Sequence, residues 1–253
     1  MRVRSRTQRP SQDAVWRARV DLAAALRFAN RLGYSEGICN HFSVVVPGNP
    51  SQFLLNPQGL HWSEVRASDL IVVDTRGNLV EGKYEAEPTA FYIHSRIHLS
   101  NPEARCVLHT HMPYATALCC LEGGKLEWAN QNALRFYGRT AYDADYNGEA
   151  LDEAEGDRMA AAFAAKNTVL FLANHGVIVS GVEVALTFDD LYFLERACTH
   201  QVLAQSTGLP LRIVPAAICE KVVRQLDGSS EQARLHFEAV KRILEREDPE
   251  YAT

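Results

Sequence analysis

The chain has 253 residues with a formal net charge of -5; hydrophobic residues make up 47% of it and charged residues 23%. This is ordinary globular composition and excludes collagen, coiled coil and wholesale disorder. No apolar run approaches the ~18 residues that span a bilayer, and a pI near 6.0 without a basic stripe excludes nucleic acid as the main partner. At roughly 150 residues per domain, the length allows one or two domains.

The chain starts MRVRSRTQRP, with Arg2, Arg4, Arg6 and Arg9. No hydrophobic secretion signal is read there, and residues 1–10 are expected to form a solvated tail. Six cysteines stand at 39, 106, 119, 120, 198 and 219, none in a C-x-x-C pair. They read as reduced thiols of a cytoplasmic protein.

In chain order, Ser11 is placed to cap a helix running to about Leu32, with Val15, Leu22, Leu26 and Ala29 at helical spacing and Gly33 as the stop. Phe42 to Val46 and Phe53 to Leu55 form a predicted hairpin. A second hairpin, LIVVDTRGNLVEG, turns at Arg76-Gly77-Asn78. PTAFYIHSRIHLSNP is a predicted helix with Pro88 in its first turn. ARCVLHTH is a short buried strand, and MPYATALCCL continues as a helix. The stretch from Glu122 to Asn147 reads as loop. A helix follows over LDEAEGDRMAAAFAA, then two short strands joined by Asn174-His175-Gly176, then a long helix from Val182 to Gln205. The remainder is predicted helical to about Glu247. Strands and helices mix throughout without a linker, which favours one α/β domain.

The nine histidines carry the chemistry. His109 and His111 end a strand two residues apart, so both rings point to one face. His175, in a tight Asn-His-Gly turn after another apolar strand, is the matching third ligand. Three neutral imidazoles leave open positions on a divalent metal, the mark of a catalytic site. His94 and His98, at i and i+4 on a helix, are the rival pair, but Ser95 stands where the metalloprotease pattern needs Glu. The stronger reading packs them beneath the strand. His200 and His236 read as solvated, His41 as lining a pocket beside Asn40, and His61 carries no signal.

The runs HSRIHLSNPEARCVLHTHMPYATAL, LFLANHGVIVSGVEVALTFDDLYFLERACTHQ and GICNHFSVVVPG…FLLNPQGLHWSEVRASDLIVVD together resemble the class II aldolase/adducin family over about residues 15–210. The resemblance implies an α/β fold: a three-layer α/β/α sandwich with a central, mostly antiparallel sheet. It implies one domain over residues 11–210 with 211–253 as a helical extension, and a homotetramer with sites at subunit interfaces. It also implies one divalent metal ion per subunit (Zn, Mn, Co or Fe) on His109, His111 and His175. The extension is expected to pack across a subunit interface.

The departures point away from a sugar phosphate. Sugar-phosphate aldolases of the family place an acid nineteen positions before the first metal histidine; here that position is Ala90. Glu87 is the candidate replacement, with Glu85 weaker. Their phosphate-binding Ser-Ser and Thr-Gly pairs read Pro88-Thr89 and Gln58-Gly59 here. Asn40 and Ser43 survive to hydrogen-bond a carboxylate or carbonyl, with Gln58 and Gly59 beside them.

Decarboxylation needs no base to start it, but it needs a proton donor afterwards, for which Tyr114, Tyr137, Tyr142 and His41 qualify by type. The expected activity is therefore that of a metal-dependent lyase. It cleaves a C–C bond, by decarboxylation or retro-aldol reaction, in a small hydroxy or keto acid, aromatic or aliphatic, through a metal-stabilised enolate. The aromatic-rich stretch from Trp128 to Tyr146 either walls that pocket or packs the core. Two alternatives remain: a non-haem Fe(II) oxygenase acting on an aromatic keto or hydroxy acid, and a non-catalytic adducin-like interaction domain.

Overall fold

The computed structural model describes residues 12–163, 166–226, 228 and 230–253. Ser11 and the N-terminal tail lie outside the described residues.

Helix α1 (Gln12–Arg31) has no glycine or proline inside it and buries Leu22, Leu26 and Ala29 along one face. It stops at Gly33, whose φ of +77° is the left-handed turn that glycine adopts without strain. Strands β1 (His41–Val45) and β2 (Gln52–Leu55) form the first hairpin, β3 (Ile71–Asp74) and β4 (Leu79–Glu81) the second. Helix α2 (Pro88–Ser100) begins with Pro at its first position and Glu87 as its cap. Strand β5 (Cys106–Thr110) leads into α3 (Pro113–Cys119).

The expected loop from Glu122 to Asn147 instead holds a one-turn helix, α4 (Gln131–Leu134), and an edge strand, β6 (Thr140–Asp143). The four residues TAYD are too short and too little buried to show alternation; only the last of them is fully buried. Helix α5 (Glu153–Phe163), strands β7 (Val169–Leu172) and β8 (Gly176–Gly181), and helices α6 (Val184–Gln205), α7 (Ala216–Leu226) and α8 (Ser230–Glu247) complete the order.

The eight strands lie in the order β4-β3-β2-β1-β5-β8-β7-β6. Every neighbouring pair is antiparallel except β6 and β7. Alternation along the strands divides the core into the two faces of a three-layer α/β/α sandwich. Cys106 and Leu108 of β5 face the layer of α1, α3, α6 and α8, whereas Val107 faces α2 and α5. His109 shares the Val107 face.

Helix α8 docks on its own chain through Phe237, Val240 and Leu244, reinforced by Lys241 on Asp21 at 3.1 Å. All six cysteines are free. Among the described residues, no helix is long and apolar enough to cross a membrane.

Candidate metal centre

The β1–β5 ladder sets His41 directly opposite His109, so both side chains emerge on the α2 face. His111, one residue past β5, emerges on the same side. The β7–β8 turn brings the third ring. Asn174 adopts a left-handed φ of 56°, and the His175 N–H donates to the Leu172 carbonyl at 3.1 Å. The three ring centroids stand 4.8–5.0 Å apart, and one ligand atom from each lies within 4.8 Å of the others. Gly176 is demanded by packing: a Cβ there would fall 2.6 Å from the Thr110 carbonyl oxygen and 2.7 Å from Cδ2 of His111.

Outer partners fix which nitrogens are free. His109 Nδ1–H donates to the Val177 carbonyl at 3.0 Å, and His111 Nδ1–H donates to the Glu36 carboxylate. A carbonyl or carboxylate can only accept, so the neutral form of each ring carries its lone pair on Nε2. His111 Nε2 and His175 Nδ1 are buried without a hydrogen-bond partner. Burial, and then the neighbouring imidazoles, hold His109 well below its ordinary value and His175 down at about 4. Both are therefore neutral near pH 7. Converging imidazole nitrogens, two of them buried without a partner, fit a divalent cation.

The triad opens into a cavity of about 300 Å³. Asn40, His41, Gln58, Glu87 and Ala90 line it, and Gly59 lies beside it with φ +86°. Asn40 sits in a left-handed conformation (φ 71°), its Oδ1 accepting from His111 N–H at 3.3 Å and its Nδ2 buried without a partner. Glu87 reaches the cavity as a helix cap. Its Oε2 accepts from Ala90 N–H at 2.7 Å and from the Thr89 hydroxyl, and it is not among the groups converging with the three histidines.

Four placements differ from the sequence reading. Ser43 is fully buried and bonded to His94 and His98, so it lies behind the cavity wall. Tyr137 stands edge-on to Trp128 and lines a separate cavity with Arg135 and Arg139. Tyr142 is likewise engaged, stacked on Phe171 and accepting from Leu126 N–H at 3.1 Å. Most of the aromatic stretch is thus packing. Its last member, Tyr146, is the phenol on the cavity wall, with its ring centroid 6.3 Å from that of His175. His236, expected to be solvated, pairs with Asp189 at 2.7 Å.

Sequence reasoning missed Glu36. It lies in an irregular loop far from His111 in sequence, and nothing in its spacing marks it. Tyr146 lies in the aromatic-rich stretch, where nothing in the sequence separates it from Tyr137 and Tyr142.

The sequence profile described as the class II aldolase and adducin N-terminal domain matches residues 20–202. A Pseudomonas aeruginosa protein named for the class 2 aldolases is 37% identical over 246 residues, spanning 94% of this chain and 93% of the relative. Rat alpha-adducin is 35% identical over 75% of this chain, which corresponds to 26% of adducin. Among solved structures, an aldolase II superfamily protein from Pseudomonas syringae superposes with a TM-score of 0.89 at 36% identity, covering 97% and 98% of the two chains. L-fuculose 1-phosphate aldolase from Glaciozyma antarctica superposes with a TM-score of 0.83 at 25% identity, covering 97% of both.

Proposed function

The chain belongs to the class II aldolase and adducin family, and from that premise we propose that it is a divalent-metal-dependent lyase cleaving a C–C bond in a small hydroxy or keto acid. The observation that carries the reading is the set of three imidazoles, two with buried unpartnered nitrogens, converging on the wall of one cavity. An interaction module has no use for such orphans, each of which costs folding free energy. His109, His111 and His175 would hold the metal. Bound there, a divalent ion supplies Lewis acidity for C–C cleavage.

The chain's own residues supply the rest. Asn40 Nδ2 donates to a substrate carboxylate or carbonyl oxygen. The C–C bond breaks with its electrons passing to the substrate's own carbonyl oxygen, and CO₂ departs from the ionised carboxylate, or an aldehyde departs as its hydroxyl proton passes to water. The Tyr146 hydroxyl returns a proton to the carbon left behind and is recharged from water, because its side chain is half exposed.

A sugar phosphate is disfavoured by a specific contact. The N-terminus of α2 is where an anion would sit, but Pro88 lacks an N–H and Glu87 already takes the Ala90 N–H. A second carboxylate-like anion there would meet the Glu87 charge. The same contact makes Glu87 a gatekeeper rather than a free base.

The six free thiols accord with a reducing cytoplasm. A homotetramer accords with the exposed Leu203, Leu209, Ile213 and Ile218 at the end of α6 and the start of α7.

The test is turnover of Zn-, Mn-, Co- or Fe-loaded protein on a panel of small hydroxy and keto acids without oxygen. Release of CO₂ or an aldehyde supports the lyase. Turnover only with iron and O₂ would transfer the assignment to the oxygenase reading.

A further inference from the structure

A buried chain of hydrogen bonds runs from behind the sheet to the cavity. His98 Nδ1 meets the Ala104 carbonyl at 2.6 Å, and His98 Nε2 meets the Ser43 hydroxyl at 2.8 Å. That hydroxyl also contacts His94 Nδ1, and His94 Nε2 meets His41 Nδ1 at 2.8 Å. His94, Ser43 and His98 are all buried, and none belongs to the metal triad.

The direction of every proton in this chain follows from its inner end. A carbonyl only accepts, so His98 carries its proton on Nδ1 and leaves Nε2 bare. Bare Nε2 must then accept the Ser43 O–H. The Ser43 oxygen, having given its only proton, accepts from His94 Nδ1–H. His94 Nε2 is therefore bare and accepts from His41 Nδ1–H. His41 ends the chain with a bare Nε2, and among the described residues no protein donor reaches it. The derivation needs neutral rings. Burial supplies that condition, holding His98 at about 4 and His94 well below its ordinary value.

His41 lines the cavity beside Asn40, whose Nδ2 is a buried donor with no partner. The cavity thus presents a fixed acceptor and a fixed donor on adjacent residues, next to the three imidazoles. We propose that His41 Nε2 is the acceptor for a substrate hydroxyl, making the site selective for a hydroxy acid whose carboxylate or carbonyl oxygen is held by Asn40. The His94–Ser43–His98 chain positions His41 by fixing its tautomer. This rests on the lyase reading for its metal but not for its tautomer. A keto acid, or a hydroxy acid capped by a methyl group, has no proton for His41 and leaves that acceptor unpaired.

Two measurements test it. Long-range imidazole ¹H–¹⁵N spectra of the histidine-labelled, metal-free protein are expected to show Nδ1–H with bare Nε2 at His41, His94 and His98; Nε2–H at His41 overturns the proposal. On zinc-loaded protein, lactate is expected to bind about tenfold tighter than 2-methoxypropanoate, and His41→Ala is expected to remove the difference. Equal binding of the two by the unaltered protein also overturns it. Ser43→Ala is expected to mix the His41 tautomers and narrow the preference, while an unchanged spectrum would contradict the chain. Failure of zinc to bind would sink the lyase reading, and the metal-free spectrum would then decide this one.

Discussion

His41 stands directly across the β1–β5 ladder from His109, their ring centroids 4.9 Å apart. Both rings spend Nδ1 on a partner behind them, His109 on the Val177 carbonyl and His41 on His94. Two adjacent strands therefore offer two lone pairs to one cavity, one within the metal-binding group and one outside it.

Glu36 orients the His111 ring from outside by accepting its Nδ1–H. Glu36→Gln is expected to weaken metal affinity by about 10- to 100-fold while leaving the thermal midpoint of the metal-free protein nearly unchanged, since Glu36 is exposed. Competition against a chromophoric chelator reads the first effect and calorimetry the second.

Gly176 makes room for the site. In Gly176→Ala the new methyl would displace either the Thr110 backbone or the His111 ring. A loss of about 1–3 kcal/mol in stability is expected, with metal affinity falling in parallel. Denaturant unfolding and chelator competition on the same samples check both.

The buried histidines make stability depend on pH. His98 has its ordinary value of 6.5 when unfolded and about 4 when folded. Above pH 6.5 both states are neutral there and the group contributes no pH dependence. Between 6.5 and 4 only the unfolded state takes up the proton, so stability falls as pH falls. His98 alone is expected to remove about 2 kcal/mol between pH 7 and pH 5, and His94 shifts in the same direction. Urea denaturation of metal-free protein at the two pH values measures this; a flat profile would show that these rings are not buried neutral.

Tyr146 separates binding from turnover. Tyr146→Phe keeps the ring beside His175 and removes the proton. It is expected to lower kcat by about 10²- to 10⁴-fold with metal content and substrate affinity retained. Loss of metal in this variant would assign Tyr146 to the structure of the centre instead.

Much of this was legible in the sequence. The H-x-H at the end of β5 forces two rings to one face through strand periodicity alone, and the N-H-G turn needs its glycine for a reason of packing. Ala90, where sugar-phosphate aldolases carry an acid, does line the cavity. What stayed hidden depends on distant pairings. Ser43 reads as a hydroxyl facing substrate, yet β1 turns it inward onto α2, where His94 and His98 meet it. Tyr137 and Tyr146 look alike in sequence, and only the path of the chain past β6 takes one to Trp128 and the other to His175. Glu36 is linked to His111 solely by the fold.

The most direct measurement is a zinc titration of metal-free protein, with and without His109→Ala. One ion per chain is expected, with affinity falling at least about 100-fold when the His109 ring is removed. No binding, or binding indifferent to His109→Ala, would contradict the assignment of this cavity as a metal-dependent active site.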